Sequence, residues 1–238
     1  MGPPVTMAQP VIDAVIPARD EATTVGDVVA AAKGCSHVRE VILVDDGSSD
    51  GTAARALASG AKVVTVWPGG SKAAAMEAGV ESSDGDAVLF VDADLTGLTS
   101  AHLDEICEPF VEGRATMSLG TFDYGPVWNW LVLRLPPTTG ERVVPRWVFD
   151  AVPPGKRKGY TIEVMINEVL AERLLPTTAR VMRGVFHRTK RQKFGRWKGT
   201  LLTARMFFQL VSLPVRGVVR WRTYWFYLRH LTIEGERG

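Results

Sequence analysis

The 238-residue chain has only two cysteines and four histidines, and no uncharged apolar run long enough to cross a bilayer, for which about 18 residues would be needed. Cys35 and Cys107 stand far apart without Cys-x-x-Cys or Cys/His spacing. That argues against a zinc cluster or a disulfide framework, and two buried free thiols in a reducing compartment are expected. The N-terminal MGPPVTMAQP has no cationic stretch followed by an apolar one, so no secretory signal is read there. Residues 1–10 read as a flexible leader, with Met7 a candidate start. Internal repeats and low-complexity segments are absent. Two common phosphate-binding signatures are missing as well. Where a G-x-G-x-x-G would follow the first strand the chain has Pro17-Ala-Arg-Asp-Glu-Ala-Thr23, and Gly69-Gly70-Ser71-Lys72 lacks the order and the hydroxyl of a P-loop.

What is present is globular. Hydrophobic residues make up 46% and charged residues 23% of the chain, which argues against disorder. The net charge is +2, but Lys and Arg crowd the stretch from Gly184 to Gly238 while acids dominate the N-terminal half. Such asymmetry points to an anionic partner for the C-terminal part.

Short apolar runs alternate with helical patterns through the first 120 residues. Val11–Ile16, Val41–Val44, Val63–Trp67 and Ala87–Val91 read as strands. Helices are expected at Thr24–Lys33, Ala53–Ala58 and Lys72–Gly79. This spacing implies βαβ units and a parallel sheet with both faces covered. Farther on, Asp123–Leu135 is aromatic-rich, Tyr160–Leu174 has helical spacing, and Val181–His187 is a candidate strand.

Ligands of open parallel sheets bind outside the carboxyl ends of the strands. Three polar clusters fall there: Arg19-Asp20-Glu21, Asp45-Asp46 and Asp92-Ala93-Asp94. A single Asp-x-Asp usually does no more than solvate a turn. Three clusters at successive strand ends suggest instead carboxylates sharing a hard cation and a diphosphate.

The segments VIPARDEATTV, VILVDDGSSDGT, GGSKAAAMEAG and LFVDADL, spanning about residues 11–95, together resemble the successive signatures of family 2 glycosyltransferases and their GT-A relatives. The resemblance implies an α/β fold of GT-A type, Rossmann-like, with a mostly parallel sheet and flanking helices. It also implies a nucleoside-diphosphate sugar donor, UDP or GDP, and a divalent cation, Mn²⁺ or Mg²⁺. Carried over by position, Pro17, Ala18, Arg19 and Glu21 fall in the strand-one motif that contacts the nucleoside, Arg19-Asp20 departing from the usual pair. Asp46 matches the acid that reads the base edge, and Lys72 a basic residue near the nucleotide. Asp92, Ala93 and Asp94 match the DxD motif, with Asp94 the usual metal ligand.

The segments TGERVVPRWVFDAVP and GYTIEVMINEVL are similar to the acceptor side of lipid-phosphate glycosyltransferases and of glucosyl-3-phosphoglycerate synthases. By that resemblance His187 completes the metal site with Asp94 and Asp92; imidazole beside carboxylates suits Mn²⁺ somewhat better than Mg²⁺. Glu163 matches an acid of this region that binds an acceptor hydroxyl or orients arginines. Arg142 and Arg146, four apart and expected on one helical face, join Arg188, Lys190, Arg191 and Lys193 as phosphate-binding candidates. Asp94, Glu163 and Arg142 are the expected catalytic residues. No general base declares itself, with Asp123 the fallback beside Glu163, and the motifs of processive polysaccharide synthases are absent.

The tail from Arg205 to Leu231 is aromatic, apolar and arginine-studded. It reads as an amphipathic helix lying on a membrane surface, or as a lid on the enzyme or a contact with a second copy in a homodimer. No nucleic-acid motif is present. The expected layout is a leader over 1–10, a glycosyltransferase domain over 11–199 (nucleotide-sugar half 11–118, acceptor half 119–199) and a basic helical tail over 200–238. The expected location is cytoplasmic, with the tail at the inner face of the membrane if it is interfacial. The first-ranked reaction is transfer of a sugar to a polyprenyl-phosphate-type lipid. A soluble phosphorylated acceptor such as 3-phosphoglycerate ranks second. A nucleotidyltransferase is the rival of another class; it would need a Gly-rich loop with Lys where PARDEAT stands.

Overall fold

The structure, a computed structural model, describes residues 9–123, 139–159, 161–187 and 220–234. Its first half follows the strand–helix alternation of the sequence: β1 (Ile12–Ala18), α1 (Val25–Gly34), β2 (Val38–Asp45), α2 (Thr52–Ala58), β3 (Lys62–Thr65), α3 (Lys72–Glu81) and β4 (Ala87–Phe90). After a short β5 (Leu95–Thr96) come α4 (Ser100–Val111), β6 (Met117–Phe122), β7 (Arg142–Pro145), α5 (Arg146–Asp150), α6 (Thr161–Glu172), β8 (Thr177–Met182), β9 (Phe186–His187), α7 (Trp221–His230) and β10 (Leu231–Glu234).

Eight strands form one sheet in the order β10-β8-β6-β7-β4-β1-β2-β3. Its pairings are parallel except those of β7, which runs antiparallel between β4 and β6. The central strands are buried on both faces, which explains why they read as unbroken apolar runs rather than alternating ones. One face packs on Val25, Val28, Leu103 and Ile106 of α1 and α4. The other packs on Met76, Phe149, Ile162 and Ile166 of α3, α5 and α6. Both cores converge beneath the carboxyl ends of β1, β2 and β4, where the site is built.

Two expectations are corrected. The strand expected over Val181–His187 is two strands, split by a turn in which Gly184 takes a φ of 79°. β8 joins the main sheet, whereas β9 turns away to pair with β5. Arg142 and Arg146 share no helical face. Arg142 opens β7 opposite Phe90, and Arg146 follows its other end, its guanidinium on the Ser83 carbonyl. The sheet geometry therefore puts Arg146 at the edge remote from the strand ends that carry Asp92.

The described end of the tail is a helix packed on the enzyme, the lid alternative of the sequence reading. In α7, Phe226 and Tyr227 are buried and the Tyr227 hydroxyl donates to the Asn167 carbonyl of α6 at 3.3 Å. β10 then adds to the main sheet beside β8, Leu231 opposite Thr177. Trp221, Trp225 and Leu228 remain exposed on α7. Residues 205–219 of the tail, and Arg188, Lys190, Arg191 and Lys193, lie outside the described residues. No described helix is long and apolar enough to cross a membrane.

Candidate metal and nucleotide site

β4 stops where the chain must leave the sheet. The Val91 N–H still donates to the Val15 carbonyl at 3.1 Å, and Asp92-Ala93-Asp94 follows. The Thr24 hydroxyl holds the Ala93 carbonyl at 2.8 Å, fixing the segment over the start of α1. Pairing of β5 with β9 then sets Leu95 opposite His187. That register brings the imidazole to Asp94, with Nδ1 3.0 Å from Oδ1. Ligand atoms of Asp92, Asp94 and His187 all lie within 4.8 Å of one another. Two carboxylates and an imidazole, partly open to solvent, are a donor set suited to Mn²⁺ or Mg²⁺ that also takes oxygens from a diphosphate. Burial works against charge on His187, but the Asp94 hydrogen bond and the nearby Glu141 and Asp92 carboxylates outweigh it and push its pKa up to about 9.

Lys72 begins α3, which Ser71 caps by accepting the Ala74 N–H at 3.3 Å. Its ammonium bridges Asp92 Oδ1 at 2.6 Å and Glu163 Oε1 at 2.7 Å. Burial disfavours the ammonium, yet the two carboxylates more than compensate and hold its pKa well above the usual lysine range. Lys72 therefore stays cationic beside the DxD segment. Glu163, in the first turn of α6 and almost fully buried, is the counter-ion that aims it.

Arg142 is placed differently from the expectation. It is wholly buried, and its guanidinium donates to the Thr139 carbonyl (3.1 Å from Nε), the Glu163 carbonyl (3.2 Å) and Asn167 Oδ1 (3.1 Å). Burial lowers its pKa while Glu163 and other neighbours oppose the shift. A guanidinium enclosed in this way braces α6 against β7.

Glu141 is the residue sequence reasoning missed. It is fully buried; the Thr139 hydroxyl donates to one carboxyl oxygen, and the other has no hydrogen-bond partner among the described residues. Burial, then the Asp92 charge, pushes its pKa up to about 7 against the opposing pull of His187. At Gly140 an added Cβ would collide with the Asp92 carboxylate, so glycine lets this backbone press against the site. The only sequence signal was the Gly-Glu-Arg run itself, which no predicted strand end marked.

On the nucleoside side, the segments after β1 and β2 are knitted together. The Asp46 N–H donates to the Ala18 carbonyl at 2.9 Å, the Glu21 N–H to Thr52 Oγ1 at 2.9 Å and the Asp20 N–H to Ser48 Oγ at 3.0 Å. Pro17, Ala18, Arg19 and Glu21 thus share one edge with Asp46. Arg19 is exposed there and Glu21 is buried. Asp46 also accepts the Gly70 N–H at 2.7 Å through Oδ1. Asp123 follows β6 and is half-buried.

The signature of Glycosyl transferase family 2 matches residues 13–154. A glucosyl-3-phosphoglycerate synthase of Mycolicibacterium paratuberculosis is 32% identical over 127 residues, 49% of this chain and 38% of that protein. The Mycolicibacterium smegmatis enzyme of the same name is 39% identical over 93 residues, 35% of this chain and 31% of that protein. These matches span well under half the length of the curated relatives. The crystal structure of the Mycobacterium tuberculosis synthase in complex with Mn²⁺, UDP-glucose and phosphoglyceric acid superposes with a TM-score of 0.71 at 25% identity, covering 89% of this chain and 81% of that one.

Proposed function

The chain belongs to glycosyl transferase family 2, and from that premise we propose that it moves a glucosyl group from UDP-glucose to a small phosphorylated acceptor of the phosphoglycerate type, with a divalent cation. The observation that carries this reading is the convergence of Asp92, Asp94 and His187, from opposite halves of the chain, beside the half-buried cation of Lys72. Bound there, the metal ion would offset the charge that gathers on the departing diphosphate. Asp92, Asp94 and His187 hold it; Lys72 contributes a second fixed positive charge, and Glu163 keeps that charge aimed. Pro17, Ala18, Arg19, Glu21 and Asp46 form the edge that takes the nucleoside.

A lipid phosphate, ranked first on sequence, gives way to the soluble acceptor. The relatives named above are glucosyl-3-phosphoglycerate synthases, and the described end of the tail is committed to the sheet and to α6. Asp92 and Glu163 are paired with Lys72 and Asp94 with His187, while Glu141, one of whose oxygens has no partner among the described residues, is fully buried. That suits a retaining transfer on one face of the sugar, in which the leaving phosphate oxygen takes the acceptor proton. Incubation with Mn²⁺, radiolabelled UDP-glucose and either 3-phosphoglycerate or polyprenyl phosphate tests the reading. Labelled glucosyl-phosphoglycerate is the expected product. Transfer to the lipid alone would overturn the acceptor, and no transfer from any UDP- or GDP-sugar would overturn the donor as well.

A further inference from the structure

Trp67 is the most exposed large apolar side chain among the described residues, 81% accessible. It contributes nothing to either core, and an indole left this open is unusual for so large a side chain. Its backbone, by contrast, is held on both sides. Immediately before it, the Val66 N–H donates to the Asp45 carbonyl at 2.9 Å, carrying the β2–β3 pairing one residue past β3. Three residues after it, the Gly70 N–H donates to the Asp46 carboxylate at 2.7 Å. Gly69 has a φ of 71°, and a Cβ there would come 2.5 Å from the Asp46 carbonyl oxygen, so only glycine lets the loop lie so close to β2. The loop then runs directly into Ser71, the cap of α3, and Lys72.

Residues 66–72 therefore lead from Asp46, on the nucleoside edge, to Lys72, beside the DxD segment. They lie at the carboxyl edge of the sheet, where ligands of such folds bind. We propose that Trp67 is the stacking platform for the nucleobase of the donor, an assignment that rests on the nucleotide-sugar reading above. An indole offers a flat apolar face, and every base has a complementary one, so the contact adds affinity without choosing the base. Asp46 has a structural duty in this scheme: it ties down the loop that presents the indole.

Calorimetric titration with UDP and with inorganic pyrophosphate, both in Mn²⁺, tests the assignment on the full chain. Compared are the wild type, Trp67→Ala, Trp67→Phe and, as a control, Leu174→Ala, which removes an exposed apolar side chain at the end of α6. Because Trp67 is exposed, its removal leaves the core intact. Trp67→Ala should weaken UDP roughly tenfold, the scale of a lost base–aromatic stack. Trp67→Phe should recover most of that loss, Leu174→Ala should show none, and pyrophosphate, which has no base, should bind all four proteins alike. UDP affinity within twofold of wild type in Trp67→Ala, or an equal loss for pyrophosphate, would overturn the stacking role and leave the donor reading standing. Failure of the wild type to bind UDP would overturn both.

Discussion

Strands β1 to β4 are parallel, linked by helices of seven to ten residues, and Arg19, Glu21, Asp46 and Asp92 follow their strands within three positions. The region from β6 to β10 shares the sheet but is assembled otherwise. It contains the antiparallel β7, a carboxy-terminal strand as its outer edge, and side chains that act across the fold. Glu163 meets Lys72 from 91 positions away, and His187 meets Asp94 from 93. The first region forms the proposed nucleotide edge from local sequence. The second completes the proposed site by long-range contact. Damage to the second, the metal ligand His187 apart, should therefore reduce turnover while sparing nucleotide binding, and damage to the first should do the reverse.

The sharpest break in that division lies where the regions meet. Replacement of Asp94 by Ala, or removal of divalent cations by chelation, should lower transfer about a thousandfold, on the order of 4 kcal/mol of transition-state stabilisation. Rates within threefold of wild type would show that the DxD segment holds no essential cation.

Next in size is Glu163→Gln. It keeps the shape of the side chain but strips Lys72 of one of its two carboxylates. Turnover is expected to fall about thirtyfold, roughly 2 kcal/mol, with the KM for UDP-glucose changed less than threefold. A KM effect alone would move Glu163 to the nucleotide edge and blur the two regions.

Asp46 offers the reciprocal test. Asp46→Ala should raise the KM for UDP-glucose about tenfold and leave kcat nearly unchanged, the pattern of lost uniform binding. Asp46→Asn retains an oxygen able to accept the Gly70 N–H and should lose less.

The sequence made the first region legible because its structure is local. Each apolar run marks a strand, each polar cluster marks a strand end, and α1 and α3 fall within two residues of their expected bounds. The second region hid its logic. Nothing in TGERVVPR announces a strand running against its neighbours, so Arg142 was paired with Arg146 as a phosphate-binding candidate and Glu141 passed unnoticed. Nothing near Leu231 reveals that it will pair with Thr177. His187 was placed beside Asp94 by family likeness, and the physical cause, the β5–β9 pairing of two residues each, is too short to read from periodicity. Trp67 was read as the end of a strand; its exposure becomes evident only from the fold.

The smallest expected effects concern pH in metal-free protein. His187 has a pKa raised to about 9. Its pairing with Asp94 therefore stabilises fully below the unfolded value near 6.5 and is lost as pH rises through about 9. Glu141, raised to about 7, follows the same sign: its contribution is present below the ordinary glutamate range and disappears as pH rises through about 7. Thermal melts without metal should decline in both windows by a few degrees at most, with His187→Gln flattening the upper and Glu141→Gln the lower. Identical pH profiles for the variants and the wild type would remove both groups from the stability of the site.

The central claim is that Asp92, Asp94 and His187 together hold the cation that serves the nucleotide. Electron paramagnetic resonance follows free Mn²⁺ directly as protein and UDP are titrated into it. The account predicts that the wild-type chain withdraws one Mn²⁺ per molecule in the presence of UDP, and that His187→Ala weakens that uptake at least about tenfold, as expected for loss of a ligand or its support. Equal uptake by His187→Ala and wild type would contradict it.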